Sequence, residues 1–393
     1  MTAGAVINMG REEPDFDTPA YVKDAACRAI AENFTKYTAQ AGMPELREAI
    51  AAKFYGENGI AVSADQVVVS CGGKHSAELA IRALVHPGDE VVLVTPHRLV
   101  YPGQVRFAGG RPVMVTALEQ EGFVPSPVNV RAAITPATRM LILNSPSNPT
   151  GAVYRRERLE ELAEVALKHN LTVLSDEAYE RIVFDGVEHC SMASLGPEIA
   201  ERTITVNSVS KTHAMTGWCV GYAALPGDLA ERVVAIQQVS TSAPSAVSQR
   251  AALAALTGDQ SHVQEMVAAC AECRAYTLKR IRHIPWLLTA PPAGTFYCFV
   301  NIEALLGRTC EGQRLRDAND FAAALCEKGG VKVVPGVGFG SKGHVRISFA
   351  AGLDALREGF DRIERWIDTL EEEDEVQEPE DAAGAETDED QED

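Results

Sequence analysis

Four short stretches of the 393-residue chain hold groups that could do chemistry together. Ser208-Val209-Ser210-Lys211 places an amine among hydroxyls; a lysine held neutral can attack a carbonyl carbon and form a Schiff base. Ser175-Asp176-Glu177-Ala178-Tyr179 offers a carboxylate for a protonated nitrogen and a phenol three residues on. Asn144-Ser145-Pro146-Ser147-Asn148-Pro149-Thr150-Gly151 offers amides, and Cys71-Gly72-Gly73-Lys74 is a glycine turn whose N–H groups could hold a phosphate at a helix start. Each alone is weak, since Gly-Gly-Lys is usually a turn, Asp-x-x-Tyr a solvated loop and lysine a surface charge. Gly73-Lys74 is not a Walker loop: Val68 stands where that loop needs glycine, and His75 where it needs Ser or Thr. Gly336-Val337-Gly338-Phe339-Gly340 lacks the spacing of a dinucleotide fingerprint and reads as a mobile loop.

What joins the four stretches is the element before each. Gln66–Ser70, Glu90–Val94, Met140–Leu143, Leu171–Leu174 and Thr203–Val206 are apolar runs with the length of buried strands. Helical patterns lie between them, at Ser76–Val85 and Arg156–His169, and this alternation predicts an α/β domain with a largely parallel sheet. In such sheets ligands bind beyond the carboxyl ends of the strands, where the four stretches fall. The pattern changes after Pro285, with Pro291-Pro292, a strand-like Gly294–Val300 and another strand at Val331–Val334. The expected division is an N-terminal arm with a small-domain segment (1–35), a large domain (36–284), a small α+β domain (285–370) and a disordered acidic tail (371–393). Leu353, Leu356, Phe360, Ile363, Ile367 and Leu370 recur every three or four residues, so the last helix presents one apolar stripe to a core. No internal repeat is visible.

Composition sets the outer limits. With 46% hydrophobic and 23% charged residues and a mean hydropathy of −0.07, the chain can bury a sizeable core. Its 31 Gly and 20 Pro follow no three-residue period, which excludes a collagen-like fibre. No apolar run approaches the roughly 20 residues that span a bilayer. The start, MTAGAVINMGREEPDFD, lacks the basic and apolar parts of a signal peptide, so the cytoplasm is the expected location. Of the net charge of −19, the segment from Glu371 to Asp393 carries 14 acids and no base, leaving 41 acids against 36 bases elsewhere. Without a basic stripe, nucleic-acid binding has no support, and no membrane contact is expected. The nine cysteines are odd in number and scattered, which argues for reduced thiols. Cys270-x-x-Cys273 has no second pair to complete a zinc site; it reads as helix packing, and no metal is expected.

Together the four strand ends supply what pyridoxal 5'-phosphate requires: an amine for its aldehyde, a carboxylate for its ring nitrogen, a phenol for its ring oxygen and a cup for its phosphate. From about Ile7 to Leu370 the sequence resembles fold-type I pyridoxal phosphate enzymes, and within them the class I/II aminotransferases of the bacterial aspartate/prephenate type. The matching motifs are Glu13-Pro14-Asp15-Phe16-Asp17-Thr18-Pro19, Lys36-Tyr37 to Gly42-x-Pro44-Glu45-Leu46-Arg47, Asn144 to Gly151, Ser175-Asp176-Glu177-x-Tyr179, Ser208-x-x-Lys211 and Val345-Arg346-Ile347-Ser348. The resemblance implies a large domain whose mostly parallel sheet is sandwiched by helices, plus a smaller α+β domain. It further implies that Lys211 forms the Schiff base and shuttles the substrate's α-proton, that Asp176 pairs with the ring nitrogen, and that Tyr179 and Asn148 bond the ring oxygen. Backbone amides of Gly73 and Lys74, with Ser208, would hold the phosphate. Tyr37 would reach the phosphate of a neighbouring subunit, making a homodimer the expectation. Arg346 would clamp the substrate α-carboxylate with Asn148 nearby, and the Lys74 side chain would receive a distal carboxylate.

Four positions depart from the family's pattern. Cys219 stands where an arginine holds the cofactor phosphate, Arg98 where an aromatic ring stacks on the pyridine, Glu12 where a glycine meets the substrate carboxylate, and His213 where phenylalanine is usual. Arg98 could still lie flat on the ring through its own plane. The expected activity is amino-group transfer between an amino acid and a 2-oxo acid, with Lys74 or His213 supplying the lost phosphate charge. An alternative is a non-transaminating enzyme of secondary metabolism that performs elimination, replacement, oxidation or C–C bond-forming annulation at Cβ or Cγ. Glu12 in that case would suit a cationic substrate such as arginine or S-adenosylmethionine. Against a non-enzymatic regulator of the same fold stands the joint presence of Lys211, Asp176, Tyr179, Asn148 and Arg346.

Overall fold

The computed structural model describes residues 5–372. Its central sheet has seven strands in the order Val67–Ser70, Gly221–Ala224, Thr203–Ser208, Thr172–Asp176, Thr138–Asn144, Glu90–Thr95 and Arg111–Thr116. The last five run parallel, and only Gly221–Ala224 pairs antiparallel to both its neighbours. The inner strands are buried along nearly their whole length, Arg139 and Thr172 near the strand starts excepted, as the apolar runs require for a sheet covered on both faces. One covering layer closes over Leu79, Ala80, Ile81 and Val105, another over Leu159, Leu162 and Ala166.

Four strands extend past the C-terminal ends of their apolar runs, and two of these extensions carry site residues into a ladder. Thr203–Ser208 continues through Asn207 and Ser208 because these residues pair with Tyr222 and Gly221. Thr172–Asp176 likewise carries Asp176 inside its ladder, opposite Asn144 and Val206. The side chains that matter are thereby fixed on a rigid edge. The helix Gly73–Leu84 starts earlier than expected, so Gly73 and Lys74 form its first turn after Gly72 at a φ of 90°. Gly221 has to be glycine, because a Cβ there would stand 2.1 Å from the Gly73 nitrogen.

A second sheet has the order Val334–Pro335, His344–Ser348, Tyr297–Asn301, Leu288–Thr289. The run expected as one strand at Val331–Val334 is split: Val331–Lys332 pairs in parallel with Ile7–Asn8, whereas Val334–Pro335 joins the second sheet. That parallel pair ties the N-terminal segment down, and Ser348 N donates to Met9 O at 2.7 Å. The core around this sheet includes Met9, Tyr179 and Phe184, and takes in Met266, Cys270 and Ile281 of the helix Ser261–His283. Cys270 is buried there, as helix packing predicts. The final helix, Leu353–Ile367, buries Leu356, Phe360, Ile363 and Ile367 on the same core. Gly336–Gly340 is no mobile loop: Gly336–Phe339 is a helical turn whose Phe339 is fully buried at a ring-centroid distance of 6.0 Å from Phe299. Of the expected acidic tail, Glu371 bridges Thr309 and Glu372 pairs with Arg308 at 3.0 Å, while its remaining residues lie outside those described.

Candidate active site

The strand ends converge as the sequence implies. Lys211 lies in the short helix Val209–Thr212, and its Nζ sits 5.9 Å from the ring centroids of both Tyr179 and Phe296. It also donates to the backbone oxygen of Glu12 on the N-terminal segment. Burial, then the positive charge of Arg98, brings the amine from its usual 10.5 down to about 8. A lysine in this state is a nucleophile and a proton acceptor near neutrality.

Asp176 is almost fully buried and receives three donors: Arg98 Nη1 at 2.9 Å, Tyr101 hydroxyl at 2.6 Å and the Ala178 N–H at 3.2 Å. Burial works against the Arg98 charge, but Asp176 holds it firmly protonated. Arg346 is fully buried, with its guanidinium 4.3 Å from the Tyr297 ring centroid and 5.1 Å from that of Phe339. Its Nη1 donates to Asn148 Oδ1 and to Glu12 Oε1, both at 2.9 Å, and its Nη2 to Gly10 O at 3.2 Å. Burial would raise the Glu12 carboxyl, but Arg346, with Lys211 and Arg98 beyond it, brings it below the ordinary value. The Tyr179 hydroxyl meets that of Tyr297 at 3.0 Å, and burial pushes Tyr179 up to about 12, so it stays a phenol.

The cup expected from the sequence is bordered by Gly72, Gly73 and Ser208. A Cβ on Gly73 would come within 3.5 Å of the Ser208 Cβ, so the missing side chain keeps this space clear. Lys74 is exposed. Cys219 borders the cup, its Cα 4.0 Å from where a Cβ on Gly72 would stand, and brings no charge to it. His213 cannot replace that charge. It is buried, bonds Gln260 at 3.2 Å, and burial together with His262 lowers it to about 4, leaving it neutral. Tyr37 is not brought to this site, standing 95% exposed beside Pro244 and Val247. Sequence reasoning did not assign Tyr101, Phe296, Tyr297 and Phe339; Tyr101 was visible within Pro96-His97-Arg98-Leu99-Val100-Tyr101-Pro102, without a role.

The profile of the family "Aminotransferase class I and II" matches residues 5–361. The chain belongs to that family. It is 42% identical to the aspartate aminotransferase of Geobacillus stearothermophilus over 364 residues, which are 92% of this chain and 91% of that protein. It is 43% identical to the aspartate/prephenate aminotransferase of Cereibacter sphaeroides, over 92% of this chain and 91% of that one. The crystal structure of the aspartate aminotransferase from Rhizobium meliloti superposes with a TM-score of 0.90 at 41% identity, covering 93% of this chain and 92% of that one. The fold is therefore that of the fold-type I transferases. The enzyme is a pyridoxal phosphate-dependent aminotransferase that moves an amino group between an amino acid and a 2-oxo acid. The likeness does not favour the non-transaminating alternative. The donor set suits the cofactor: a buried acceptor carboxylate, an amine brought down to about 8, a phenol beside it, and a cup that a side chain on Gly73 would fill. Among the described residues no helix is long and apolar enough to cross a membrane.

Proposed function

We propose that the enzyme takes the amino group of an acidic amino acid, aspartate first, and that it works as a cytoplasmic homodimer. The observation that carries this reading is Arg346, a planar fork fully buried between aromatic faces, which suits a carboxylate bonded at two points. The aspartate aminotransferase at 42% identity and the aspartate/prephenate aminotransferase at 43% support the choice of donor, and the exposed Lys74 offers a charge for a distal carboxylate. Tyr37, exposed on its own chain, is assigned to a neighbouring subunit's phosphate.

Bound pyridoxal phosphate supplies an aldehyde to carry the amino group and a protonated ring that withdraws electrons from the substrate's α-carbon. Asp176 holds the ring nitrogen, with Tyr101 and the Ala178 N–H fixing the carboxylate. Tyr179 and Asn148 would bond the ring oxygen, while Gly73, Lys74 and Ser208 would hold the phosphate. Arg346 orients the substrate by its α-carboxylate. Lys211, half neutral near pH 8, would take the substrate's α-proton and hold it at Nζ. Aspartate with 2-oxoglutarate should yield oxaloacetate and glutamate in equal amounts. Arginine consumed with no 2-oxo acid present, and aspartate left untouched, would overturn the reading.

A further inference from the structure

Resting on the reading of Arg346 as the α-carboxylate seat and Asp176 as the ring-nitrogen seat, we propose that Glu12 and Arg98 form a closure and specificity pair. Each now bonds a group that a ligand must claim, and once both are displaced they bind one another across the loaded site.

In each ion pair one member is fixed and the other is freer. The Arg346 side chain is 0% exposed and anchored to Asn148 and Gly10, whereas its partner Glu12 is 53% exposed. The Asp176 side chain is 1% exposed and anchored by Tyr101 and Ala178, whereas its partner Arg98 is 17% exposed. The freer members are two of the residues that depart from the family's pattern. A substrate carboxylate evicts Glu12 by matching its charge on Arg346, and a protonated ring nitrogen evicts Arg98 by matching its charge on Asp176. One anion and one cation are thus released into the same pocket. They already act on each other, Arg98 helping to lower Glu12 and Glu12 helping to raise Arg98. The Glu12 backbone oxygen also accepts from Lys211, which places this segment beside the site.

A guanidinium left unpaired in a partly dry pocket is costly, and pairing with Glu12 removes that cost. Glu12 becomes available only when a carboxylate has taken Arg346. Cofactor and substrate binding are therefore coupled, and the coupling is reciprocal. A ligand without a carboxylate leaves Glu12 on Arg346 and gains nothing from the pair, which is the selection the two residues add.

The test follows loss of cofactor absorbance from the holoenzyme during dialysis, with and without succinate, a dicarboxylate that has no amine. Wild type, Glu12→Gln, Arg98→Gln and the double variant are compared. Saturating succinate should slow the loss at least about five-fold in wild type. The slowing should vanish in either single variant with no further change in the double one, and persist in Arg98→Lys, which keeps the charge. Slowing that survives Glu12→Gln or Arg98→Gln, or none in wild type at succinate concentrations shown by calorimetry to saturate, overturns the pair. Borohydride treatment separates the deeper failure: if it fixes no cofactor to Lys211, the site assignment falls and the pair with it.

Discussion

Asp176 and Glu177 are neighbours at the end of one strand, yet they head two buried charge networks of different kinds. In the Glu177 network every carboxylate oxygen has a donor. Ser175, His189, Ser191 and the Met192 N–H serve Glu177, while Lys53 and Asn58 serve Glu180. Lys53, Asn58, Glu177, Glu180 and Ser191 are all buried. Glu177, Glu180 and His189 bring ligand atoms within 4.8 Å of one another, but the Lys53 ammonium already meets Glu180. The Asp176 network is left open. Arg346 Nε is buried without a partner, as is His189 Nδ1 beside Glu177, but each ion pair here joins a deeply buried group to a more exposed one. Residue types do not separate structure from function here; the exposure of the partner charges, Glu12 above all, does.

One lysine from each network gives the sharpest contrast. Lys211→Ala should lower amino transfer at least about 10³-fold, because it removes both the attachment point and the proton carrier. Its urea midpoint should hardly move, since Lys211 fills no closed network. Unchanged turnover would sink the assignment. Lys53→Met should do the reverse. It strands Glu180 as an uncompensated buried charge, at a cost of about 3 to 5 kcal/mol read as an earlier urea transition. Turnover per folded molecule should be kept, and a selective loss of turnover would show that the two networks are one.

Within the open network, Arg346→Lys keeps the charge but loses the fork. KM for both amino acid and 2-oxo acid should rise roughly 10- to 100-fold, with kcat changed less. An unchanged KM would mean that the carboxylate sits elsewhere. Lys211 itself sets a pH signature. Because its amine titrates near 8 instead of 10.5, the neutral fraction climbs between pH 7 and 9 and then levels off. Attachment of added cofactor to the stripped enzyme, trapped by borohydride, should rise about eightfold from pH 6.5 to 7.5 and flatten above pH 9. A rate still climbing at pH 10 would show that burial and Arg98 do not depress the amine.

The open network was legible because strand ends are. Apolar runs mark where each strand stops, and Lys211, Asp176 and Asn148 follow within a few residues. Arg346 carried no such signal beyond its motif. The pieces the sequence hid are set by tertiary contact: Tyr297 reaches Tyr179 across 118 residues, and Phe339 looks like part of a glycine loop until Phe299 and Arg346 pack on it. His213 was a candidate cation on residue type alone, and only burial shows that it is neutral. The split of Val331–Val334 between two sheets was equally invisible, since both pieces keep one apolar pattern.

Cys219 gives the smallest and most local prediction. It borders the phosphate cup at a φ of 51°, so the backbone there already adopts a left-handed conformation with a side chain in place. Cys219→Arg therefore adds charge without asking the chain for a new shape. A charge-assisted bond to a phosphate contributes about 1.5 to 3 kcal/mol when well made. The exposed position reduces this, and a gain of about three- to ten-fold in cofactor retention is the expected remainder. Dialysis of wild type and Cys219→Arg side by side reads it directly. Equal loss from both would mean that the cup holds its phosphate by backbone amides and Ser208 alone, and that the missing arginine costs this enzyme nothing.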